Sequence, residues 1–464
     1  MMLALCVLLP AIAAIPVWRL RNREHARGVA AVVASVIVAL ALVLSRTSGE
    51  SLGVLELDSV SALLLPFVAL MCWMLVLAAP TSWARPAALA RLLLNESVLL
   101  CAFAVSDVRL LVVLWALSYG PVLHALATDD ANRPVFRAFL LYAAASTAAF
   151  TTGTLLLASQ PLTQHWSIFS WTTDARPRAI GVALVVVAVL IRKATLPFHS
   201  WLPAVFDVRP TGPTLLLIAP MLGAYSLVRV ALPLVPEVLG ERLFLLGPLS
   251  LVTAVYAAGL ALVQTDLRRL VAWLAMSQSA LVLVGLECPH GDGLAGGIVT
   301  WLSAGMALTG LALTAWLIES RHGRLSLDHH HGLYRRSPLL GLIFLLSGLS
   351  LVGFPGMAGF VGNDLLLRAV LRAFPSAGLL MFAASALSGI AILSAFFRVF
   401  YGPPERGRVI DLLPRERAAL FVPLALMVWQ GIQPAPLVNA GAHAAQTILA
   451  QTRPHGSRAA STHH

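Results

Sequence analysis

The chain has 464 residues, of which 59% are hydrophobic and only 11% are charged. Soluble domains carry about 25% charged residues, so the composition excludes a soluble multidomain protein. The mean hydropathy of +0.85 instead predicts an integral membrane protein. The formal charge of +11 does not indicate nucleic-acid binding, because the basic residues lie mostly in short loops between apolar runs. The four cysteines form no Cys-x-x-Cys pair, so we predict no cofactor and no metal site in this chain.

Apolar runs recur through the whole chain. A helix needs about 20 apolar residues to cross the hydrocarbon core of a bilayer. The sequence therefore predicts an all-α polytopic membrane protein with about 14 transmembrane helices. In chain order the runs cover 2–18, 28–46, 59–80, 88–105, 108–127, 136–158, 179–203, 211–233, 243–264, 269–286, 294–318, 337–371, 377–401 and 418–436.

The basic residues are unequally divided between the two sides of the membrane. When successive loops are assigned to alternate sides, 20 basic loop residues fall on one side and nine on the other. Basic loops stay in the cytoplasm, so this division predicts a bacterial inner (cytoplasmic) membrane protein with its N-terminus outside. The first apolar run has no basic segment before it, which favours a retained helix over a cleaved signal peptide. The segment after Ala450 is predicted to be disordered.

Prolines interrupt two of the predicted spans. Pro197 and Pro203 lie in span 7, and Pro355 lies in span 12. Such breaks are tolerated where they face protein or a wet cavity, since lipid cannot satisfy the freed backbone groups. Because the breaks are five spans apart, they predict two inverted five-helix repeats, although two unrelated packing kinks are the alternative. The predicted parts are 1–87 (helices 1–3), 88–233 (first repeat), 243–401 (second repeat) and 402–464 (last helix and tail).

Lysine occurs once in the chain, at Lys193. At 1.5 Å per residue it lies about 20 Å into span 7, past the centre of the bilayer. An ammonium at that depth is unfavourable unless it is hydrated or paired, and such residues mark ion or proton pathways. Lysine can release its proton when buried and arginine cannot, so we predict that Lys193 lies on a proton pathway. The alternative is a lysine that snorkels toward the cytoplasmic interface.

Other polar residues in the spans complete this prediction. Glu96 in span 4 is the candidate counter-charge, or else it caps a backbone group or bonds Asn95. His199, just after the break, is a candidate proton relay, or a plain hydrogen-bonding group. Arg192 is a second buried cation that requires an acceptor of its own.

Several segments resemble a known family. Lys193-Ala-Thr-Leu-Pro-Phe-His-Ser-Trp-Leu-Pro203, followed by Arg209-Pro-Thr-Gly-Pro-Thr, resembles the span 7 to 8 signature of antiporter-like membrane subunits. These subunits are shared by respiratory complex I, Mrp antiporters, membrane-bound hydrogenases and DAB inorganic-carbon uptake complexes. Asp266-Leu-Arg-Arg-Leu-Val-Ala-Trp and Gly353-Phe-Pro-Gly-Met-Ala-Gly resemble the same family in spans 10 and 12.

The resemblance implies roles for some residues and shows departures at others. Lys193 matches the family's span 7 lysine, and Glu96 matches a span 4 glutamate present in some members. The departures are Ala116 in place of a span 5 glutamate, no lysine or histidine within 215–221, no charge within 305–309, and Asn363 in place of a span 12 lysine or glutamate. Asp364, beside Asn363, is the remaining acid there and is included in the predicted proton pathway.

The resemblance implies a proton (or sodium) coupling subunit of a multisubunit complex, with no catalytic or redox site of its own. Because the central charges are depleted, we expect DAB-type inorganic-carbon uptake, with a soluble zinc carbonic-anhydrase-like partner on the cytoplasmic face. One alternative is a subunit of an NADH:quinone oxidoreductase, hydrogenase or Mrp-type complex, in which the first two would bring redox subunits as partners. Another is a membrane scaffold that transports nothing. Membrane lipid is the remaining expected partner.

Overall fold

The computed structural model describes residues 1–47, 49, 51–158, 175–234, 246–288, 291–376, 378–403 and 411–452, and this part of the chain is mostly helical. The helices are α1 (Met2–Arg19), α2 (Arg23–Leu44), α3 (Ser59–Ala78), α4 (Pro86–Ala104), α5 (Val108–Leu117), α6 (Gly120–Ala127), α7 (Arg133–Leu157), α8 (Ala175–Arg192), α9 (Trp201–Val208), α10 (Thr211–Leu215), α11 (Leu222–Ser226), α12 (Leu246–Leu262), α13 (Leu267–Glu287), α14 (Gly291–His322), α15 (Pro338–Val352), α16 (Ala358–Ala373), α17 (Gly378–Phe400), α18 (Pro414–Ile432) and α19 (Ala435–Thr452). A π-helical turn, Leu227–Ala231, follows α11, and the strands β1 (Ser51–Leu52) and β2 (Leu55–Glu56) form a short antiparallel hairpin.

Several helices begin at a short polar side chain that satisfies a free backbone N–H group. Asn22, Asp58, Asp107 and Asp266 each accept a hydrogen bond from a backbone N–H in the first turn of the helix that follows. This is the role for which asparagine and aspartate are preferred at helix N-termini. These caps mark where the chain leaves a loop and enters an apolar helix.

The chain is a multi-pass membrane protein. Within the described residues, nine helices are long and apolar enough to cross a membrane, or ten if the bent pair α18 and α19 counts as one span. Shorter apolar helices, such as α12 and α15, lie between them. All the predicted apolar runs overlap helices, whereas the total of fourteen crossings and the inverted repeats stay predictions.

The most buried helices lie at the centre of the molecule. Helices α13 and α14 are buried along almost their whole length, and α14 packs against α13, α15, α16 and α19. By contrast, α1 and α2 carry exposed apolar side chains such as Ile12, Trp18 and Val32. An apolar surface of this kind is stable against lipid, where exposure of apolar atoms carries no hydrophobic penalty.

Helix breaks occur at both predicted places and at a third that the sequence analysis did not predict. Span 7 is interrupted between α8 and α9, and span 12 between α15 and α16. Predicted span 8 is interrupted as well, between α10 and α11, where Met221 adopts a φ of +57°. The carbonyl of Pro220 at this break accepts a hydrogen bond from the Trp301 indole of α14, so protein satisfies the freed backbone group.

The C-terminal prediction needs a correction. The last span was expected over 418–436, but α18 ends at Ile432 and the chain continues as α19, bent by 83°. Helix α19 packs along the first half of α14, because small residues such as Gly441 allow a close approach. Disorder was predicted after Ala450; the helix extends to Thr452, and the later residues lie outside those that the structure describes.

Candidate functional site

Lys193 lies where the helix of span 7 ends. Its backbone N–H donates to the Val189 carbonyl at 2.8 Å, so Lys193 still belongs to the last turn of α8. The next residue, Ala194, has a φ of +54°, in the left-handed region that non-glycine residues rarely occupy. The chain therefore turns away directly after Lys193, which is 2% exposed and lies at the end of a half-helix inside the protein.

The aliphatic part of Lys193 packs against the broken span 8. A Cβ added at Gly223 of α11 would lie 3.0 Å from Lys193 Cγ, so the glycine makes room for the lysine. The Lys193 carbonyl accepts a long hydrogen bond of 3.5 Å from the Ser279 hydroxyl of α13. The Nζ atom has no hydrogen-bond partner among the described residues. Burial of an ammonium without a direct partner is unfavourable, which singles out Lys193 as a functional candidate.

The acid that acts electrostatically on Lys193 is Glu287, the last residue of α13. Glu287 is 7% exposed, and its carboxylate accepts a hydrogen bond of 3.3 Å from the Ser250 hydroxyl of α12. Because the Lys193 Nζ has no hydrogen-bond partner in the described chain, the two charges interact without a direct ion pair. Glu287 was not predicted as a site residue because predicted span 10 ended one residue earlier. The available signal was an isolated acid at the end of a continuous apolar run.

Glu96 is fully buried in α4, but not beside Lys193 as predicted. It faces α1 and α3, where its charge acts on the Cys6 and Cys72 thiols. Neither carboxylate oxygen has a hydrogen-bond partner among the residues that the structure describes. Glu96 and Lys193 are therefore two separate buried ionisable groups, and Glu287 rather than Glu96 is the acid whose charge acts on Lys193.

Arg192 has the acceptors that the sequence could not identify. Its guanidinium donates to the Ser118 hydroxyl at 2.6 Å and to the Trp115 carbonyl at 3.3 Å. The guanidinium carbon also lies 4.5 Å from the centroid of the Trp115 ring and 4.4 Å from that of Tyr119. These cation–π contacts and hydrogen bonds hold the cation beside Ala116, the position where the resembled family carries a glutamate.

The residues after Lys193 form the connection between the two half-helices. His199 Nε2 lies 3.4 Å from the Tyr256 hydroxyl, and its ring packs against Tyr256 and Trp273. Pro197 lies within the connection, and Pro203 lies in the first turn of α9. Backbone N–H groups in a first turn have no partner within the helix, so a proline there removes no helical hydrogen bond. His199 is thus a partly buried, hydrogen-bonded group six residues beyond Lys193.

The structure places the predicted acid of span 12 at the surface. Asp364 lies on α16 with a side chain that is 36% exposed, and it pairs with Arg368 one turn later at 2.8 Å. Pro355 lies in the connection between α15 and α16. Asp364 therefore does not share the buried environment of Lys193. Its charge is balanced by Arg368 on its own helix.

A buried ion pair lies away from the break of span 7 and was not predicted. Arg229, on the π-helical turn, donates to the carboxylate of Asp58 and, at 3.3 Å, to the Ser61 hydroxyl. The Arg229 side chain is 3% exposed and that of Asp58 is 14% exposed. Asp58 was not predicted as a buried acid because it caps the start of α3, outside the apolar run.

The chemistry that this arrangement can perform is proton exchange. When a lysine and a glutamate interact inside a protein, each charge favours the charged form of the other. Movement of one group therefore shifts the pKa of the other, which can then gain or release a proton. Among the described residues, no group of three or more His, Cys, Asp or Glu side chains is placed to hold a metal ion. In the loop after α14, His331 Nε2 lies 2.6 Å from the Ser326 carbonyl oxygen.

Residues 130–390, more than half of the chain, match the family described as NADH:quinone oxidoreductase/Mrp antiporter, transmembrane. The chain belongs to this family. The matched region of this antiporter-like subunit contains Lys193, Glu287 and Arg192, whereas Glu96 and Asp58 precede it.

Curated relatives of the antiporter-like chain include subunits of an NADH-quinone oxidoreductase and of an F420H2 dehydrogenase. NADH-quinone oxidoreductase subunit M of Mycobacterium tuberculosis is 27% identical over 274 residues, which are 58% of this chain and 50% of the relative. The F420H2 dehydrogenase subunit M of Methanosarcina mazei is 27% identical over 269 residues, 56% of this chain and 53% of the relative. The match thus spans about half the length of these relatives.

Solved structures share the fold over nearly the whole chain. A chain of respiratory complex I from Thermus thermophilus with bound NADH superposes with a TM-score of 0.87 at 24% identity, covering 98% of this chain and 100% of that one. A chain of the Mrp complex from Dietzia sp. superposes with a TM-score of 0.84 at 19% identity, covering 97% and 99%. At these identities the likeness establishes the fold of an antiporter-like membrane subunit, including the helices before residue 130.

Proposed function

We propose that this antiporter-like chain moves protons (or sodium) as one membrane subunit of a multisubunit complex of the NADH:quinone oxidoreductase or Mrp type. The observation that carries the proposal is the buried Lys193 at the break of span 7, on which the charge of the buried Glu287 acts. Its family membership, together with relatives that are subunits of larger complexes, supports a role as one subunit of a multisubunit complex. The proposal includes fourteen crossings, two inverted repeats and an N-terminus on the outer side of the cytoplasmic membrane.

In the proposed mechanism, Lys193 alternates between a protonated and a neutral form. Glu287 stabilises the ammonium when its own carboxyl is ionised, so a change in the partner complex that moves either half-helix shifts the proton between the two sites. The half-helices around the break permit such movement, because protein rather than lipid surrounds the freed backbone groups. Arg192 cannot release its proton and is proposed to position α8 against α5 through Ser118.

The test is proton uptake by liposomes that contain the complex purified from native membranes, driven by an imposed membrane potential. Lys193→Met is expected to lower the rate at least about tenfold, since proton-transfer groups contribute on the order of 10²- to 10⁴-fold to the steps they catalyse. Lys193→Arg is expected to fail as well, because it keeps the charge but holds its proton. Glu287→Gln is expected to show a comparable loss.

The matched control is Asp292→Asn, which removes the acid of an exposed ion pair with Arg372. It is expected to transport at the normal rate. Normal transport by the Lys193→Met complex would refute the proposal and favour a scaffold. A defect in Lys193→Met alone, with Glu287→Gln unaffected, would mean that Lys193 works with a different acid.

Inorganic-carbon uptake is a second candidate function, supported by the depleted central charges, with Ala116 in place of an acid and Arg192 beside it. Mass spectrometry of the subunits that co-purify with the chain distinguishes the two. A soluble zinc protein resembling carbonic anhydrase would support carbon uptake. Subunits with flavin or iron–sulfur clusters would support an oxidoreductase, and a set of small membrane subunits without redox groups would support an Mrp-type complex.

A further inference from the structure

A cleft opens beside the end of span 4 that is predicted to face the cytoplasm, away from the Lys193 site. It has about 560 Å³ of empty space including its mouth and lies between the first half of α4, helix α6 and residues 209–216. Two arginines, Arg91 and Arg209, line it together with Asn95, Trp83 and Thr214. The two cations lie on different elements, so the fold rather than local sequence brings them to one cavity.

The positive charge of this cleft is only partly balanced. Arg91 has no ion pair or hydrogen bond with the residues that the structure describes, and burial of its guanidinium is not offset by an acid. Arg209 has one carboxylate within reach, Asp129, at 3.9 Å. That carboxylate is 40% exposed and accepts a shorter hydrogen bond, 2.7 Å, from Asn132. The charges of Arg91 and Arg209 also repel one another, so an anion between them would relieve an unfavourable interaction.

A buried polar residue also lines this cleft. Asn95 is 7% exposed and lines the cleft, and its Oδ1 atom has no hydrogen-bond partner in the described chain. A half-turn of the amide exchanges its oxygen and nitrogen, so Asn95 can present an N–H donor to the cleft. Two guanidinium groups and one amide donor make a set that suits an oxyanion, because planar guanidinium groups bind phosphate oxygens in pairs.

We propose that the cleft between Arg91 and Arg209 binds an oxyanion of the phosphate type. The anion is either the headgroup phosphate of an anionic lipid or a free phosphate from the cytoplasm, since both present the same oxygens. Trp83, which also lines the cleft, is a residue type common at the membrane–water interface, where a headgroup would lie. The site does not depend on ion translocation by Lys193.

The experiment measures binding to the purified full-length chain in its complex. Native mass spectrometry in mild detergent detects retained phosphatidylglycerol, and thermal unfolding is measured with and without inorganic phosphate. The variants are Arg91→Gln, Arg209→Gln and the double variant. Arg335→Gln is the matched control, since it removes an exposed arginine in a predicted cytoplasmic loop outside the cleft.

If the ligand is a lipid, the amount of phosphatidylglycerol retained by the complex should fall about tenfold for each arginine removed, as expected for loss of a charge-assisted hydrogen bond. A free anion predicts stabilisation of the unmodified complex by phosphate, with the same dependence on the two arginines. Either result supports the site. Equal binding by the double variant and the unmodified complex, or an equal loss in Arg335→Gln, would overturn it. The single variants answer the question if the double variant does not assemble.

Discussion

Arg229 shows how much a single buried residue depends on its partner. Its guanidinium is enclosed by protein and donates to Asp58, the N-cap of α3. Asp58→Asn keeps the shape of the side chain but removes the balancing charge, which we expect to destabilise the protein by about 3 kcal/mol. Asp292→Asn, in an exposed pair, should change stability by less than about 1 kcal/mol. Thermal unfolding of the purified variants in one detergent provides the comparison.

The double variant Asp58→Asn with Arg229→Met tests the same explanation. Removing both charges leaves no unpaired buried cation, so part of the lost stability should return. A double variant that is less stable than Asp58→Asn would contradict the electrostatic explanation.

At the scale of single residues, the sequence identified Lys193 because an isolated lysine in an apolar run is visible without any structure. It did not identify Glu287 or Asp58, since both lie at helix ends, where an acid in sequence looks solvated. Their burial follows from packing against other helices, which single-sequence patterns do not contain.

The break in span 12 depends on a close approach of two helices. A Cβ added at Gly359 of α16 would lie 1.7 Å from the Ser350 carbonyl oxygen of α15, so only glycine fits. Gly359→Ala must therefore separate the two half-helices, and we expect a loss of several kcal/mol of stability. Gly259→Ala on α12 has nothing within 4 Å of the new Cβ and should be neutral or stabilising by up to about 1 kcal/mol.

Thermal unfolding of these two alanine variants measures the difference between a contact glycine and an uncrowded one in the same protein. Similar stability of Gly359→Ala and Gly259→Ala would show that the break is not tightly packed.

Prolines made the breaks of spans 7 and 12 predictable at the scale of elements. The break of span 8 was missed although Pro220 lies within it, because the surrounding apolar run is continuous.

Contacts on the predicted cytoplasmic face join distant parts of the whole molecule. Arg324, in the loop after α14, binds the carboxylates of Asp207 after span 7 and Asp266 before α13. Burial raises the pKa of Asp207, but hydrogen bonds from Arg269 and Arg324 outweigh it and hold the pKa below its ordinary value. The contribution of Asp207 to stability is therefore present above the ordinary aspartate pKa of about 3.9 and is lost as the pH falls through the lower folded value.

We expect acidification below about pH 4 to loosen this loop before the apolar helices unfold. The Leu327 amide, which donates to the Thr265 carbonyl at 2.8 Å, reports the change. Hydrogen exchange of its peptide, corrected for the intrinsic rate at each pH, should show protection at pH 7 that is lost at low pH. Asp207→Asn should lose the protection already at pH 7. Equal corrected protection at both pH values would contradict this origin of the loop's order.

The sequence by itself determined that this is a membrane protein, where its apolar helices lie and where two of them break. Those properties follow from local composition, since the bilayer selects apolar runs and proline removes backbone hydrogen bonds wherever it occurs. Tertiary structure alone decided that the charge of Glu287 acts on Lys193, that Glu96 is buried among other helices and that Arg91 and Arg209 line one cleft. Those pairings join residues far apart in the chain, and burial and electrostatic coupling between them exist only after the helices have packed.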